Sequence, residues 1–313
     1  MSNLKGTPYE RQDKPRTLKD NVLLAIGAVT LFPVRAFLII SILLLGWPIT
    51  KIFVLLAVQK TRKNECVGGW KRRLYLLTMY PLFWGLSLGL GCWRIRVHRS
   101  TTGPQDGERP FAPVIVSNHI SYADIPLLML LELPSIVAKS DTAAIPFIGF
   151  YARAWQCVFV DRSGKVPSVD LIRQRQIDIN KNKDAGWPRL AIFAEGTTTN
   201  GRSLIQFQRG GFMSGLPVQP YVLSYRSYSW FSPAFESMNG LPHLFYTLST
   251  LGFAVDILEL PVYVPSEEER ANPALYAENV RKAMGTYAKM PLADSNCWDK
   301  LALLGRGVHR KVE

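Results

Sequence analysis

The side chains best suited to chemistry lie between Ser117 and Asp124, a stretch that reads Ser-Asn-His-Ile-Ser-Tyr-Ala-Asp. His119 and Asp124 are five residues apart, so they would not meet on one straight helix, where each residue turns by about 100°. They can meet if His119 lies in a turn and Asp124 in the first turn of a helix, where a carboxylate is favoured. The spacing therefore predicts a strand, a turn and a helix that present a histidine general base oriented by an aspartate.

Two further polar clusters also follow short apolar runs. Asp161-Arg162 comes directly after Phe159-Val160, and Glu195-Gly196-Thr197-Thr198-Thr199-Asn200-Gly201 comes after Phe193-Ala194. An arginine guanidinium suits a phosphate, and glycines with threonine hydroxyls permit close approach of an anion. Each cluster also has an ordinary interpretation, as a surface ion pair between Asp161 and Arg162 or as a simple turn at Glu195-Gly196.

The elements that must position these clusters alternate along the chain after Arg94. Predicted strands cover 114–116, 135–138, 155–160, 189–194, 216–223 and 258–264, and predicted helices cover 125–132, 142–153, 166–182, 204–210 and 273–287. This alternation is typical of an α/β domain with a largely parallel sheet. Ligands of open α/β sheets sit at the carboxyl ends of the strands, so we expect the three polar clusters to face one cleft.

Composition points to a membrane rather than to nucleic acid. The 313 residues carry a net charge of +13, and 48% of them are hydrophobic. A basic, apolar chain without zinc-finger spacing, a basic heptad region or an RNA-binding aromatic motif favours an anionic membrane surface as partner. The four cysteines include no CxxC pair, so neither a disulfide framework nor a bound metal is expected, and a reducing cytosolic environment fits.

The N-terminal third contains the segments expected to enter the membrane. Residues 21–59 are almost wholly apolar, but Arg35 divides them into limbs of 21–34 and 36–50, each shorter than the roughly 20 residues that cross a bilayer. A tilted span with Arg35 buried or snorkelling and a hairpin that enters and leaves on one side are both open. The uncharged run 74–93 is predicted as a second segment that is embedded in the membrane or lies on it, and the basic loop 60–73 is expected on the cytosolic side.

These observations divide the chain into four parts. We expect a flexible tail over 1–20, membrane-embedded hydrophobic segments over 21–93, an α/β domain over 94–290 and a C-terminal tail over 291–313. The sequence leaves the number of true membrane spans undecided.

Together and in this order, the clusters resemble the glycerolipid acyltransferase family, the lysophosphatidic acid acyltransferase-like superfamily. Its Asn-His-x4-Asp block, arginine block, Phe-Pro-Glu-Gly-Thr block and Val-x-Pro strand match residues 118–124, 159–162, 193–197 and 217–220, with Ala194 in place of the usual proline. The longer runs 195–201, 217–220, 260–269 and 273–281 look like the lysophosphatidylcholine and lysophosphatidylethanolamine acyltransferase branch. The chain lacks the EF-hand loop of some members, so calcium regulation is not predicted.

The resemblance implies an acyl-CoA-dependent lysophospholipid acyltransferase in the endoplasmic reticulum membrane, with its active site facing the cytosol. It implies His119 and Asp124 as the catalytic pair and a substrate site formed by Asn118, Arg162, Glu195, Gly196 and Thr197. Acyl-CoA would be a co-substrate, with membrane lipids and the lysophospholipid as partners and no resident cofactor or nucleic acid. The alternatives are an enzyme acting on lysophosphatidic acid or glycerol 3-phosphate, a CoA-independent transacylase, and an inactive lipid-binding or scaffolding protein.

Overall fold

A largely parallel sheet forms the centre of the molecule. The computed structural model describes residues 4–57, 66–100, 110–161 and 168–305, and within these ranges the sheet has seven strands. They are β1 (Cys92–Arg99), β2 (Val114–Ser117), β3 (Ser135–Lys139), β4 (Val158–Val160), β5 (Leu190–Phe193), β6 (Val218–Ser227) and β7 (Phe253–Glu259). Their order is β1-β7-β6-β2-β5-β3-β4, and every neighbouring pair is parallel except β6 and β7. The prediction of a largely parallel α/β sheet is confirmed.

Helices cover the sheet and precede it. Those of the N-terminal third are α1 (Leu18–Val29), α2 (Leu31–Leu56) and α3 (Gly69–Gly89). The others described are α4 (Asp124–Leu131), α5 (Ile148–Ala154), α6 (Ser168–Lys181), α7 (Gly240–Ser249), α8 (Glu267–Ala271), α9 (Pro273–Ala288) and α10 (Cys297–Leu303).

The core lies on both faces of the sheet. Successive side chains of a strand point to opposite faces, and the central strand β2 divides accordingly. Ile115 packs into a cluster to which α3 and α4 contribute, whereas Val114 and Val116 pack into a cluster to which α6 and α9 contribute. The uniformly apolar β2 is therefore what a strand buried on both faces requires.

Two predicted elements are wrong. Of the predicted strand 258–264, only residues 258 and 259 lie in a strand, as the end of β7, and Pro261 just beyond them has no N–H with which to continue the ladder. Residues 204–210 do not form an α-helix, because the main chain of Leu204 pairs with Pro291 and Ala293 instead, and a 3₁₀-helix covers only Arg209–Gly211. The sequence interpretation also missed β1 and α7, and the predicted helix over 142–153 is interrupted at Pro146 before α5 begins.

The N-terminal apolar region forms three helices. Among the described residues, α2 is the one helix long and apolar enough to cross a membrane. The predicted second membrane segment, 74–93, corresponds to the later part of α3 and the start of β1, and α3 does not meet the same criterion.

Arg35 does not lie at the apex of a hairpin. The break between the first two helices falls at Thr30, and Arg35 is a buried residue in the second turn of α2. Its Nη1 donates hydrogen bonds to the carbonyls of Thr247, Leu248 and Thr250 at 3.2, 3.1 and 2.7 Å. These carbonyls lie at the C-terminal end of α7, where a cation is favoured by the helix dipole. Arg35 therefore ties α2 to α7.

Both chain ends that the sequence predicts as tails are packed where they are described. Tyr9 is fully buried beside Ile205, and its hydroxyl donates to the carbonyl of Asn296 at 2.6 Å. Arg11 bonds to the carbonyls of Ala234 and Ser232. At the other end, Leu303 of α10 packs against the cluster that contains Tyr9. Polar composition alone predicts a flexible end, but here one buried aromatic side chain anchors it.

Candidate active site

The first polar cluster of the sequence, residues 117–124, lies where β2 ends and α4 begins. The strand ends at Ser117, the chain turns through 118–123, and α4 begins at Asp124. β5 and β6 flank β2 in parallel, so the carboxyl ends of the three central strands meet at one edge of the sheet. The arrangement of strand, turn and helix agrees with the prediction from the spacing of His119 and Asp124.

The imidazole of His119 and the carboxylate of Asp124 are in direct contact. Nδ1 of His119 lies 2.7 Å from Oδ2 of Asp124. The same oxygen accepts the main-chain N–H groups of Ile120 at 2.7 Å and Ser121 at 3.0 Å. Asp124 is 0% exposed. Its carboxylate therefore holds the turn and the imidazole of His119 against the start of α4 from inside the protein.

The contact with Asp124 sets the tautomer of His119. An ionised carboxylate only accepts hydrogen bonds, so Nδ1 carries the proton and Nε2 keeps its lone pair. The imidazole stacks on the ring of Phe193 at the end of β5, with centroids 3.9 Å apart and planes 14° apart. The side chain is 19% exposed, and no hydrogen bond to Nε2 occurs within the described part of the chain. Nε2 is therefore the ring nitrogen that can accept a hydrogen bond from a bound molecule.

Glu195 lies inside the protein beneath this turn. One carboxylate oxygen accepts the main-chain N–H of His119 at 2.7 Å, and the other accepts that of Ile205 at 3.2 Å. Burial raises the pKa of Glu195 to about 8, although the two N–H donors favour the charged form. Glu195 therefore fixes the backbone that carries His119.

Asn118 joins β2 to β6. Its amide nitrogen donates to the carbonyl of Leu223 at 3.0 Å, and its amide oxygen accepts the N–H of Leu223 at 2.8 Å. The side chain is buried, and both of its polar atoms are occupied by this strand. The assignment of Asn118 to substrate binding stays a prediction.

The turn after β5 approaches His119 from a second side. Gly196 has φ of +68°, and a Cβ there would lie 3.0 Å from Cγ of Gln208, so this turn favours glycine on both counts. Thr197 is partly exposed. Farther along the same loop, the N–H of Thr199 donates a hydrogen bond to the carbonyl of His119 at 2.8 Å. Gly196 and Thr197 thus lie in a loop that is bonded to the backbone of His119.

Arg162 lies outside the described residues, so its predicted role in binding phosphate stays a prediction. The residue before it, Asp161, follows β4, the edge strand of the sheet. Two strands, β5 and β3, separate β4 from β2. The described residues include no group of three or more His, Cys, Asp or Glu side chains that could hold a metal ion.

Tyr225 is the residue of this site that sequence reasoning missed. It lies on β6, two residues past the predicted end of that strand, and its hydroxyl donates a hydrogen bond to Oδ1 of Asp124. Burial raises its pKa well above the usual value, so it stays a donor. The alternation of Tyr221, Leu223 and Tyr225 could have shown that β6 continues and that Tyr225 faces the same side as Tyr221.

Comparison with known proteins shows which family the chain belongs to. Residues 94–224 match the family model described as Acyltransferase. The lysophospholipid acyltransferase LPEAT1 of Arabidopsis thaliana is 32% identical over an alignment 342 positions long, gaps included, which covers 95% of this chain and 85% of that protein. Lysophosphatidylcholine acyltransferase 1 is 33% identical in both Danio rerio and Homo sapiens, covering 96% and 90% of this chain. The matches span 56% and 52% of those two proteins, about half their length.

Among solved structures, the 1-acyl-sn-glycerophosphate (LPA) acyltransferase PlsC from Thermotoga maritima covers 83% of this chain and matches over 100% of its own length. It is 21% identical, with a TM-score of 0.47.

An acyltransferase domain with a histidine and an aspartate in contact at the end of a central strand defines the chain as an O-acyltransferase. Its similarity to the plant enzyme over most of both chains makes it a member of the lysophospholipid acyltransferase family.

Proposed function

We propose that this protein transfers an acyl group from acyl-CoA to the free hydroxyl of lysophosphatidylcholine or lysophosphatidylethanolamine, with His119 as the general base. The observation that carries the proposal is the 2.7 Å contact between His119 Nδ1 and Asp124, which leaves Nε2 as a base beside the partly exposed end of the sheet. Histidine suits this role because its unperturbed pKa is near neutral. The names of the relatives support the acceptor.

The reaction follows from that geometry in two proton transfers. Nε2 of His119 takes the proton of the acceptor hydroxyl as the oxygen attacks the thioester carbon of acyl-CoA. The carbon–oxygen bond forms, the carbon–sulfur bond of the tetrahedral intermediate then breaks, and the imidazolium returns its proton to the CoA thiolate. Asp124 holds the ring and stabilises its cation between these steps. No covalent acyl-enzyme intermediate is needed.

The acceptor headgroup is assigned to the remaining predicted residues. Arg162 would bind the phosphate, because a guanidinium offers paired donors to phosphate oxygens. Gly196 and Thr197 would form the wall of the acceptor site, since their loop is bonded to the carbonyl of His119 through Thr199. Glu195 and Asn118 would contribute through the backbone they hold, because their polar atoms bond to main-chain groups.

The membrane lies on the side of the N-terminal helices in this proposal. α2 packs along the catalytic domain: the rings of Phe32 and Phe245 are 5.5 Å apart, and those of Trp47 and Phe150 are 6.3 Å apart. Its other side presents apolar residues that include Val34, Phe37 and Leu45, all more than half exposed. These apolar residues support the proposal that α2 lies within a membrane against the domain. We propose the endoplasmic reticulum as that membrane, with the active site on the cytosolic side, because the family resemblance implies both.

Purified protein in detergent, supplied with labelled acyl-CoA, tests the proposal. Lysophosphatidylcholine, lysophosphatidylethanolamine and lysophosphatidic acid are offered in parallel, and a labelled diacyl phospholipid replaces acyl-CoA in a matched reaction. We expect transfer from acyl-CoA to the choline or ethanolamine acceptor. Transfer confined to lysophosphatidic acid would overturn the acceptor assignment, and transfer confined to the phospholipid donor would overturn acyl-CoA dependence.

A further inference from the structure

The hydroxyl of Tyr225 donates a hydrogen bond to Asp124, on the carboxylate oxygen that does not contact His119. Oδ2 of Asp124 accepts hydrogen bonds from Nδ1 of His119 and from two main-chain N–H groups of the turn, and Oδ1 accepts the hydrogen bond from the hydroxyl of Tyr225. The tyrosine ring packs against Phe253 of β7, with centroids 5.2 Å apart. The hydroxyl is thus aimed at the carboxylate by two strands of the sheet and not by the turn that carries His119.

A donor on Oδ1 changes how strongly the carboxylate supports the imidazolium. The O–H draws negative charge towards Oδ1, so the carboxylate attracts the proton on Nδ1 of His119 less strongly. Removing that donor would localise more charge facing His119 and make its imidazolium more stable. We propose that Tyr225 is a positioning residue that holds Asp124 and thereby limits the basicity of His119. This inference rests on the proposed role of His119 as the general base.

The other titratable groups near this array are few within the described residues. Burial raises the pKa values of Tyr122 in the turn and of Cys92 at the start of β1 to about 12, so both stay neutral in an ordinary assay. Glu195 lies in the loop after β5, where the charge of Asp124 raises its pKa and the charge of Lys300 in α10 lowers it. Because the pKa of Glu195 is about 8, this carboxyl group is mostly protonated below that pH.

The chain offers a matched control on the same strand. Tyr221 lies four residues before Tyr225, on the same side of β6, and its hydroxyl also donates to a carboxylate, that of Glu132. Glu132 pairs with Arg189, and the hydrogen bonds and ion pairs of the described residues include none between Glu132 and His119. Tyr221→Phe therefore deletes the same atom in the same kind of bond without touching the catalytic pair.

The experiment compares pH profiles of kcat/KM for the wild type, Tyr225→Phe and Tyr221→Phe. We expect Tyr225→Phe to move the acid limb up by about half to one pH unit and Tyr221→Phe to leave it in place. Tyr225→3-fluorotyrosine, which keeps the ring and has a more acidic hydroxyl, should move the limb down. A Tyr225→Phe limb that coincides with the wild type, in protein with a normal melting transition, would overturn the inference.

Two outcomes separate this inference from the proposed function. If the wild type shows an acid limb that depends on His119 and Tyr225→Phe does not move it, the base stands and the role of Tyr225 is wrong. If the wild-type rate has no acid limb and survives His119→Ala, the base itself is wrong. Should Tyr225→Phe fail to fold, the fluorotyrosine protein decides the question, because it keeps the volume and the bond: a limb unmoved there also overturns the inference.

Discussion

The main-chain N–H of His119 donates a 2.7 Å hydrogen bond to the buried carboxyl group of Glu195. Glu195 of the Glu-Gly-Thr motif therefore positions His119 by holding the main chain of that histidine. The second carboxyl oxygen of Glu195 accepts the N–H of Ile205. Two strand ends are joined at one buried side chain, so the position of the imidazole depends on a group that need not touch substrate.

The first prediction concerns stability and the protonation of Glu195. Its pKa rises from 4.5 to about 8 on folding, so between these values the folded state holds a proton that the unfolded state has released. The contribution of Glu195 to the free energy of unfolding is therefore fully present below about pH 4.5 and decreases as pH rises towards 8. In thermal unfolding, Glu195→Gln should be less stable than the wild type at pH 5, with a gap that narrows by pH 8.

Glu267→Gln is the control for removing a carboxylate, because its side chain is 94% exposed. It should follow the wild-type curve across the same range. A gap between Glu195→Gln and the wild type that stays constant with pH would contradict the assigned protonation of Glu195.

The second prediction concerns the buried imidazole of His243 in α7. Its Nε2 donates to the carbonyl of Ala234 at 2.9 Å, and its Nδ1 lies 3.1 Å from the hydroxyl of Tyr122 and 3.3 Å from that of Thr247, so Nδ1 is an acceptor and the ring is neutral. Burial lowers its pKa from 6.5 to about 4, so the unfolded state binds the extra proton between these values. Stability from this group is therefore lost as pH falls from 6.5 to 4.

His243→Gln should flatten the dependence of the melting temperature on pH between about 4 and 6.5. Thr247→Val is the matched control, since Thr247 bonds to the same ring nitrogen at 3.3 Å and does not titrate. It should lower the melting temperature at every pH by a similar amount. An equal slope in His243→Gln and the wild type would refute the prediction.

The third prediction concerns the N-terminal segment. Tyr9 is fully buried, and Asn200 of the loop after β5 bonds to the carbonyls of Thr7, Pro8 and Glu10 on either side of it. Tyr9→Ala should lower the free energy of unfolding by about 3–5 kcal/mol through the cavity it leaves. It should also lower kcat, because the same loop bonds to the carbonyl of His119.

Tyr9→Phe separates packing from hydrogen bonding. It loses the 2.6 Å bond to the carbonyl of Asn296 and should cost about 1 kcal/mol with nearly normal kcat. Chemical unfolding and initial rates measure both quantities. Wild-type stability in Tyr9→Ala would show that this segment is not anchored as described.

The fourth prediction concerns the link between α2 and α7 at Arg35. Arg35→Met leaves the carbonyls of Thr247, Leu248 and Thr250 without their charged donor, which should cost about 1.5–3 kcal/mol. Because the side chain of Thr247 bonds to Tyr122 in the turn that carries His119, activity should fall as well. Phe37→Met, on the exposed side of the same helix, is the control. Equal melting temperatures of the two variants would contradict the link.

The sequence was sufficient for elements with strong local signals. The apolar run at 114–116 with His119 and Asp124 behind it predicted strand, turn and helix correctly, because turn chemistry and the helix start are encoded within ten residues. It was insufficient where pairing partners lie far along the chain. Leu204 pairs with residues near 291, and β7 runs antiparallel to β6, neither of which a local pattern reveals.

Within the site, the residue types were readable but their contacts were not. Glu195 follows an apolar strand like many surface acids, and only the fold shows that it is buried against the N–H of His119. Tyr225 carries no motif at all, since what brings it to Asp124 is the length of β6 beyond its neighbours. The N-terminal segment similarly has a polar composition and is fixed by one buried tyrosine.

The most direct test of the central claim is the rate of acyl transfer by His119→Ala, Asp124→Asn and the double variant, each shown to be folded by its melting transition. If the two residues act as one base, His119→Ala should lose at least about a hundredfold in kcat, the low end for general base catalysis. The double variant should then be no slower than His119→Ala. A His119→Ala protein with a rate near that of the wild type would contradict the account.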